Sequence, residues 1–252
     1  MKKESSAIQV IDRAVQILDA LSQYDKPVSL KYLAADTGLH PSTAFRILGS
    51  MIVHKLVEKD DTGNYQLGTR LLGWGDKVRS RMDIRTEARP IMKWLRDEIG
   101  ETVNLTTREG DDVVYVERFI SRRAMRVEQV IGSRAPLHVT AVGKLMLGES
   151  GDEACHEYAI RTGLPKFTKN TLTDELKLAE EIHVATQNGY ALDDEEAELG
   201  VGCIGVLIYG SSGEVIAGLS VSAPIERRRT EEWIKLITQA GKQLSERLGY
   251  NG

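Results

Sequence analysis

Apolar and polar residues recur with a helical period through the first forty residues. The first helix is predicted by four apolar residues at intervals of three or four: Ile11, Val15, Leu18 and Leu21. Lys26-Pro27 ends it, because proline disfavours the helical conformation in the residue before it. Ser29 is a good N-cap for a second helix, and Gly38 is a residue that commonly ends one. The pattern therefore predicts two short helices here.

A third helix and a hairpin follow. The apolar face predicted for this helix consists of Phe45, Leu48, Met51 and Ile52. The residues that face away from it are polar: Ser42, Thr43, Arg46 and Ser50. Strands predicted over 56–59 and 64–67 flank Asp60-Asp61-Thr62-Gly63, a sequence typical of a turn.

Two helices joined by a glycine-containing turn and followed by a hairpin are typical of a winged helix-turn-helix. Ser42 and Thr43 can donate hydrogen bonds to DNA phosphates, and Arg46 can reach a phosphate or a guanine edge. The same spacing also fits a small helical packing unit whose polar face is only solvated. Spacing alone leaves both interpretations open.

Residues 76–90 predict a linker helix. Its apolar stripe runs on from Val78 through Ile84, while Arg79, Arg81 and similar residues lie mostly outside it. We expect Pro90 to kink or restart this helix, because proline lacks the N–H donor. Dimer contacts and signal transmission are one interpretation of the linker, and a solvated basic helix is the other.

The rest of the chain predicts strands mixed with helices. A hairpin is expected around Glu109-Gly110-Asp111, and a further strand over 125–130. Helical patterns occupy 141–148, 173–188 and 230–248, and two more strands are expected over 204–209 and 214–222. Antiparallel strands with helices set to one side favour the α+β class.

One predicted strand and one predicted helix start indicate a ligand site. In the strand over 215–222, Gly218, Ser220 and Ser222 share a face that suits a ligand better than a core. An exposed edge or half-solvated face explains that pattern equally well. If a helix starts after Thr140, the first backbone amides lack intrahelical partners and can bind a carboxylate. Capping by Thr140 or by water is the alternative.

Composition restricts the class of protein. An apolar content of 41 % excludes a disordered chain, and no apolar run approaches the ~20 residues that a membrane-spanning helix needs. The opening MKKESSAIQV lacks the apolar stretch of a secretion signal, so we expect a cytoplasmic protein. The net charge is −4, but residues 1–75 carry +1 and residues 77–96 hold seven Lys and Arg. This asymmetry permits DNA binding without showing it.

Three stretches resemble the IclR family of bacterial transcription regulators. They are IDRAVQIL at 11–18, GLHPSTAFRIL at 38–48 and GNYQLG at 63–68. The similarity continues through nearly the whole chain. Family members often carry Lys where this chain has Pro41, which removes one potential phosphate contact, and Gly205-Val206-Leu207 replaces a pattern of a small residue plus proline.

The resemblance implies an α+β protein with three parts. These are a winged helix-turn-helix over 1–75, a linker helix over 76–90 and a GAF-like mixed α/β effector-binding domain over 91–252. It further implies a dimer that can pair into a tetramer, a palindromic double-stranded operator, and a small organic acid effector, with aromatic and 2-oxo acids as candidates. No cofactor is expected.

Candidate site residues follow for both domains. The expected DNA contacts are Arg13, Ser42, Thr43, Arg46, Lys59 and Asn64. In family members that bind small acids, the matching effector positions are the backbone amides of Ala141 and Val142 and the side chains of Asp193, Cys203, Ser220 and Ser222. An ionised Asp193 repels a carboxylate, so we expect it to accept a hydrogen bond from a ligand hydroxyl or from water.

Enzyme chemistry is not expected. Cys203 has no histidine in a sequence context that guarantees a base, and nothing indicates a lowered thiol pKa. The histidines and the two cysteines lack the spacing of zinc ligands, and no GxGxxG loop is present. A metabolite-binding or catalytic protein whose winged helix contacts other proteins remains the alternative.

Overall fold

The computed structural model describes residues 8–79 and 82–252. Residues 1–7 of the predicted head and residues 80–81 of the predicted linker, Arg81 among them, lie outside this part. The chain divides into two compact units, Met1–Arg81 and Met82–Gly252. We describe each unit by itself.

The three predicted helices of the first unit are present. They are α1 (Gln9–Ser22), α2 (Leu30–Thr37) and α3 (Pro41–Val53). Gly38 ends α2 with a φ of 65°, in the left-handed region that glycine adopts without steric cost. Two of the apolar residues predicted to face the core of α1 do not do so. Ile17 and Leu21 are buried, whereas Ile11 and Val15 are exposed.

The predicted hairpin consists of β1 (Val57–Lys59) and β2 (Tyr65–Leu67), paired antiparallel. Asp60 closes its turn, because the Oδ1 atom accepts hydrogen bonds from the backbone N–H groups of Thr62 and Asn64 at 2.9 and 2.8 Å. A bridge between Val28 and Tyr65 ties the hairpin to the segment before α2. The result is a small core under α3 with a wing beside it.

The predicted linker helix is not one element. Helix α4 (Arg70–Arg79) begins before residue 76, and α5 (Ile84–Ile99) begins after Asp83, whose side chain accepts a hydrogen bond from the N–H of Arg85. Pro90 lies inside α5, so the expectation that it restarts the helix is wrong. The N-cap Asp83 starts the second helix instead.

The second unit is built on a six-stranded antiparallel sheet. Its strand order is β5-β4-β3-β8-β7-β6. The strands are β3 (Thr102–Glu109), β4 (Asp112–Phe119), β5 (Arg134–Pro136), β6 (Ala191–Asp194), β7 (Val201–Tyr209) and β8 (Val215–Pro224). The alternative of an exposed edge at β8 is therefore excluded, because this strand pairs on both sides with β3 and β7.

Helices cover both faces of the sheet rather than one. Helices α5 and α9 (Thr230–Arg247) pack on the face that holds Leu105, Val206 and Leu219. The other face receives α6 (Ala141–Glu149), behind which lie α7 (Asp152–Thr162) and α8 (Glu175–Asn188). The α+β class is confirmed by this arrangement.

Part of the predicted secondary structure is corrected. Residues 125–130 form no strand although they alternate in polarity. They form an irregular segment, held by a hydrogen bond of 2.6 Å from Thr102 Oγ1 to the carbonyl of Val127. Helix α7 and strands β5 and β6 were not predicted, since the strands are only three and four residues long.

Candidate DNA-binding surface and effector site

The exposed residues of α3 include polar side chains and two large apolar ones, Phe45 and Val53. Buried residues of this helix are Ala44, Ile47, Leu48 and Met51. Phe45, which we predicted to face the core, is 55 % exposed and stands next to Arg46. An exposed aromatic ring on a helix that enters the major groove can contact a thymine methyl group.

Three of the predicted DNA-contact residues line one groove between α1 and α3. They are Arg13, Thr43 and Arg46, and the groove has a volume of about 460 Å³. Ser42 is adjacent, but its hydroxyl already lies 2.8 Å from Nδ1 of His40, the residue that caps α3. The groove therefore combines two guanidinium groups with the start of the recognition helix.

The two remaining candidates lie on the wing. The ammonium group of Lys59 lies 5.3 Å from the centre of the Tyr65 ring, at the end of β1. Asn64 follows the turn, and its amide Nδ2 donates to Thr62 Oγ1 at 3.0 Å. The structure thus separates the six candidates into a helix group and a wing group.

The predicted effector side chains meet on one face of the large sheet. Strand register places Asp193 opposite Cys203, and Cys203 opposite Ser222, in one row across β6, β7 and β8. A second row holds Gly205, Ser220 and Asn104, on β7, β8 and β3. Directly paired residues share a face of a sheet, so these polar groups converge.

The start of α6 lies directly against this face. Thr140 caps the helix, accepting a hydrogen bond of 3.1 Å from the N–H of Gly143, so the capping that the sequence left open as an alternative is present at that amide. A Cβ atom placed on Gly205 would lie 3.0 Å from the backbone nitrogen of Val142, and one on Gly218 would lie 2.7 Å from its Cβ. Glycine at both positions therefore lets the amides of Ala141 and Val142 approach the sheet.

Hydrogen bonds connect the polar side chains of β3, β8 and β7 on this face. Nδ2 of Asn104 donates to Ser222 Oγ at 3.1 Å, and Ser222 Oγ lies 3.2 Å from Cys203 Sγ. Sequence reasoning missed Asn104, because a lone asparagine in an apolar strand carries no motif. Its position opposite Ser220 becomes visible only from the pairing of β3 with β8.

Asp193 belongs to a buried charged group. Its Oδ1 accepts the backbone N–H of Glu196 at 2.9 Å, and Glu196 Oε1 lies 2.7 Å from Nζ of Lys144, which is fully buried on α6. Burial raises the pKa of Asp193 to about 6, and the neighbouring Glu196 charge adds to this effect. Lys144 and Glu196 were also missed, since they are far apart in sequence.

The chemistry of the site does not favour a nucleophile. Burial raises the pKa of the Cys203 thiol well above its usual value, and the charge of Asp193 raises it further. Burial also raises the pKa of Tyr115, on the same face. Both groups therefore stay protonated near neutral pH.

The described ranges contain no group of three or more His, Cys, Asp or Glu residues that could hold a metal ion. In residues 8–79 and 82–252, no helix is long and apolar enough to cross a membrane. His138, one of the histidines weighed as a zinc ligand, is instead bonded to Tyr158 Oη at 2.8 Å and to the carbonyl of Pro165.

A winged helix-turn-helix in the same chain as a sheet unit with a buried polar site defines a one-component transcription regulator. A model described as IclR helix-turn-helix domain matches residues 10–61, and one described as Bacterial transcriptional regulator IclR C-terminal matches residues 76–247. The chain belongs to the IclR family, whose members are ligand-responsive repressors and activators. It is a regulator and not an enzyme, since its relatives are named transcriptional regulators.

Similar proteins include both sequence relatives and solved structures. The HTH-type transcriptional regulator KipR of Bacillus subtilis is 33 % identical over 227 residues, 88 % of this chain and 90 % of KipR. The Agobacterium tumefaciens repressor BlcR superposes with a TM-score of 0.81 at 28 % identity, covering 98 % of this chain and 100 % of its own. An IclR homologue from Microbacterium hydrocarbonoxydans, complexed with 4-hydroxybenzoate, has a TM-score of 0.62 at 25 % identity and covers 95 % and 98 %.

Proposed function

We propose that this regulator binds a palindromic operator as a dimer and changes its affinity for that operator when a small organic acid binds to the second unit. The observation that carries the proposal is the combination of an exposed α3 bearing Arg46 with a buried polar site built on a separate unit. Linker residues 76–90 would then pass the signal between predicted domains 1–75 and 91–252.

The acid is expected to bind with its carboxylate at the start of α6. The amides of Ala141 and Val142 have no partner within the helix, and the helix dipole favours a negative charge there. Ser220 lies in the row nearest to these amides, opposite Gly205. The homologue complexed with 4-hydroxybenzoate supports an acid as the ligand class.

Exposed apolar residues of the first unit support self-association. Ile8, Ile11 and Val15 form a stripe on the side of α1 that is turned away from the core. Leu72 and Val78 of α4 are also exposed. A stripe of this kind is typical of a contact with a second copy. A dimer also fits a two-fold operator, because one winged helix reads only one half-site.

A gel-shift titration with duplexes from the region upstream of its own gene tests the function. We expect a specific shift that one acid of a panel alters and that weakens steeply as salt rises, since phosphate contacts release counterions. Absence of any specific shift at low salt, with every duplex, would contradict the proposal and favour protein contacts by the winged helix.

A matched pair of variants tests the interface itself. Arg46→Ala should weaken operator binding by about 1–3 kcal/mol, because it removes a contact to a base or phosphate. Lys26→Ala removes an exposed cation of the same unit outside α3 and the wing, and should leave the titration curve almost unchanged. Equal curves for both variants would remove Arg46 from the interface.

A further inference from the structure

A buried amide oxygen on the face of the effector site has no hydrogen-bond partner. Asn104 is completely buried on β3, and its Nδ2 is already used by Ser222 Oγ. Its Oδ1 atom is buried without any partner. A buried acceptor left unpaired destabilises the protein, because it has lost its hydrogen bonds to water without replacement. The structure therefore leaves on this face an acceptor that a donor from outside the chain can satisfy.

The groups around Asn104 increase this need for donors. The segment 125–130 accepts hydrogen bonds from Thr102 and Arg118, and Gln129 Oε1 is also buried without a partner. Arg118 stands opposite Asn104 in the register, and its guanidinium donates to the backbone carbonyl of Gln129 and pairs with Glu128 at 3.2 Å. Two nitrogens of the Arg118 guanidinium are thus engaged by the segment, and neither buried amide oxygen accepts a hydrogen bond.

The two ends of the site therefore have opposite preferences. The start of α6 offers N–H groups to a carboxylate, whereas the Asn104 end offers an acceptor. A ligand that satisfies both ends needs a carboxylate and a group that donates. A hydroxyl group donates a hydrogen bond, but a keto oxygen or a methylene group does not.

Resting on the effector site proposed above, we propose that Asn104 determines specificity by accepting a hydrogen bond from a ligand hydroxyl, so that the effector is a hydroxylated carboxylic acid. A 2-oxo acid leaves Asn104 Oδ1 unpaired and adds a second acceptor to the face. A site built to bond a hydroxyl discriminates strongly against an analogue that lacks it, because the buried polar group then has no partner.

Calorimetric titration of the full-length protein with matched acids tests this ligand class. The probes are lactate, propionate and pyruvate; gluconate and hexanoate; and 4-hydroxybenzoate and benzoate. In at least one set we expect the hydroxylated acid to bind at least about tenfold more tightly than its counterparts. Equal or tighter binding of the oxo or deoxy acids, or no binding of any hydroxylated acid, would overturn the proposal.

Two variants locate the discrimination at Asn104. Asn104→Leu replaces the amide with an apolar side chain of similar size, and should reduce the preference for the hydroxylated acid to about onefold. Thr106→Val is the matched control on the same face of β3, since the Thr106 hydroxyl donates to the carbonyl of Gly218 within the protein. It should keep the preference. An Asn104→Leu variant that keeps it as well would exclude Asn104, and if that variant does not fold, the acid series on the unaltered protein decides.

The operator titration separates this inference from the proposed function. If an acid without a hydroxyl alters the gel shift and binds as tightly as the hydroxylated acids, the regulator stands and the role of Asn104 fails. If the protein shifts no duplex while hydroxylated acids still bind preferentially, the role of Asn104 stands and the regulator fails.

Discussion

At the scale of single residues, burial of the Asp193 carboxyl couples stability to pH. Its pKa is raised to about 6 by burial, above the value of about 3.9 in an unfolded chain. The folded state therefore binds the proton more tightly. The stabilisation by the protonated form is fully present below about pH 4 and is lost as the pH rises through about 6.

Replacing this carboxyl should reveal the cost of its charge. Asp193→Asn keeps an oxygen for the N–H of Glu196 but cannot ionise. Relative to the unaltered protein, its free energy of unfolding should therefore increase between pH 4 and pH 7, by an amount on the order of 1–3 kcal/mol. Urea unfolding at several pH values measures it. A difference that stays constant with pH would contradict the raised pKa of the buried Asp193 carboxyl.

Some residues of the candidate site could be predicted from the sequence, and others could not. Ser220 and Ser222 could be proposed because two hydroxyls and Gly218 share one face of a single strand. Asn104 could not, because its importance depends on pairing between β3 and β8, more than a hundred residues apart in sequence. The prediction that Phe45 faces the core was wrong for a related reason. When the apolar stripe of a helix is wide, its sequence does not show which of the apolar residues at its edges are buried.

At the scale of elements, one buried ion pair fixes α6 to the loop after β6. Lys144 Nζ lies 2.7 Å from Glu196 Oε1 with both side chains buried, and the partly exposed Glu181 is 3.4 Å away. Such a pair offers little net stabilisation over an apolar pair, but removing one partner leaves an uncompensated charge.

Replacing Lys144 alone should lower the free energy of unfolding more than replacing Lys144 and Glu196 together. Lys144→Met should lower the free energy of unfolding by about 3–5 kcal/mol, and adding Glu196→Gln should recover part of that loss, because no buried charge is then left. Lys242→Met breaks an exposed pair with Glu246 and should change stability by less than about 1 kcal/mol. Denaturant titration of these variants measures their free energies of unfolding. If the changes caused by the substitutions at residues 144 and 196 simply add, the two side chains do not interact as described.

Close packing of α6 on the sheet gives a second prediction at this scale. Gly218→Ala forces a methyl group to within 2.7 Å of Val142 Cβ, so the helix start must shift. We expect a loss of about 1–3 kcal/mol and loss of the acid response, with operator binding retained. Gly73→Ala on α4 meets no atom within 4 Å and should be neutral or stabilising by up to about 1 kcal/mol. Thermal unfolding and gel shifts with both variants decide, and an acid response kept by Gly218→Ala would show that α6 tolerates the shift.

Sequence predicted most elements but not all of their boundaries. Long periodic segments such as 173–188 and 230–248 gave correct helices because many residues support each pattern. The alternation in 125–130 was misleading, since those residues find side-chain donors from Thr102 and Arg118 instead of a neighbouring strand. At the linker, the N-cap role of Asp83 outweighed Pro90, which the helix accommodates.

At the scale of the whole molecule, the proposed switch requires two conformational states of the protein. The acid and the operator must each bind these two states with different affinities. The two units are compact and separate in sequence, so coupling must be measured as a free energy between their ligands. A ligand that binds both states equally changes nothing, however tightly it binds. In the proposed switch, the buried site and the exposed α3 are the two sites whose ligands must be coupled.

Thermodynamic linkage makes the coupling between acid and operator measurable from either ligand. If an acid changes operator affinity by a factor in the usual range of about 5–150, saturating operator must change the affinity for that acid by the same factor and in the same direction. Calorimetric titration of the acid with and without the operator duplex, beside an operator titration with and without the acid, gives both factors. Asn104→Leu should weaken acid binding in both titrations while leaving the acid-free operator affinity intact. Unequal factors would mean that the acid and the operator act on different populations of the protein, such as dimers and larger assemblies.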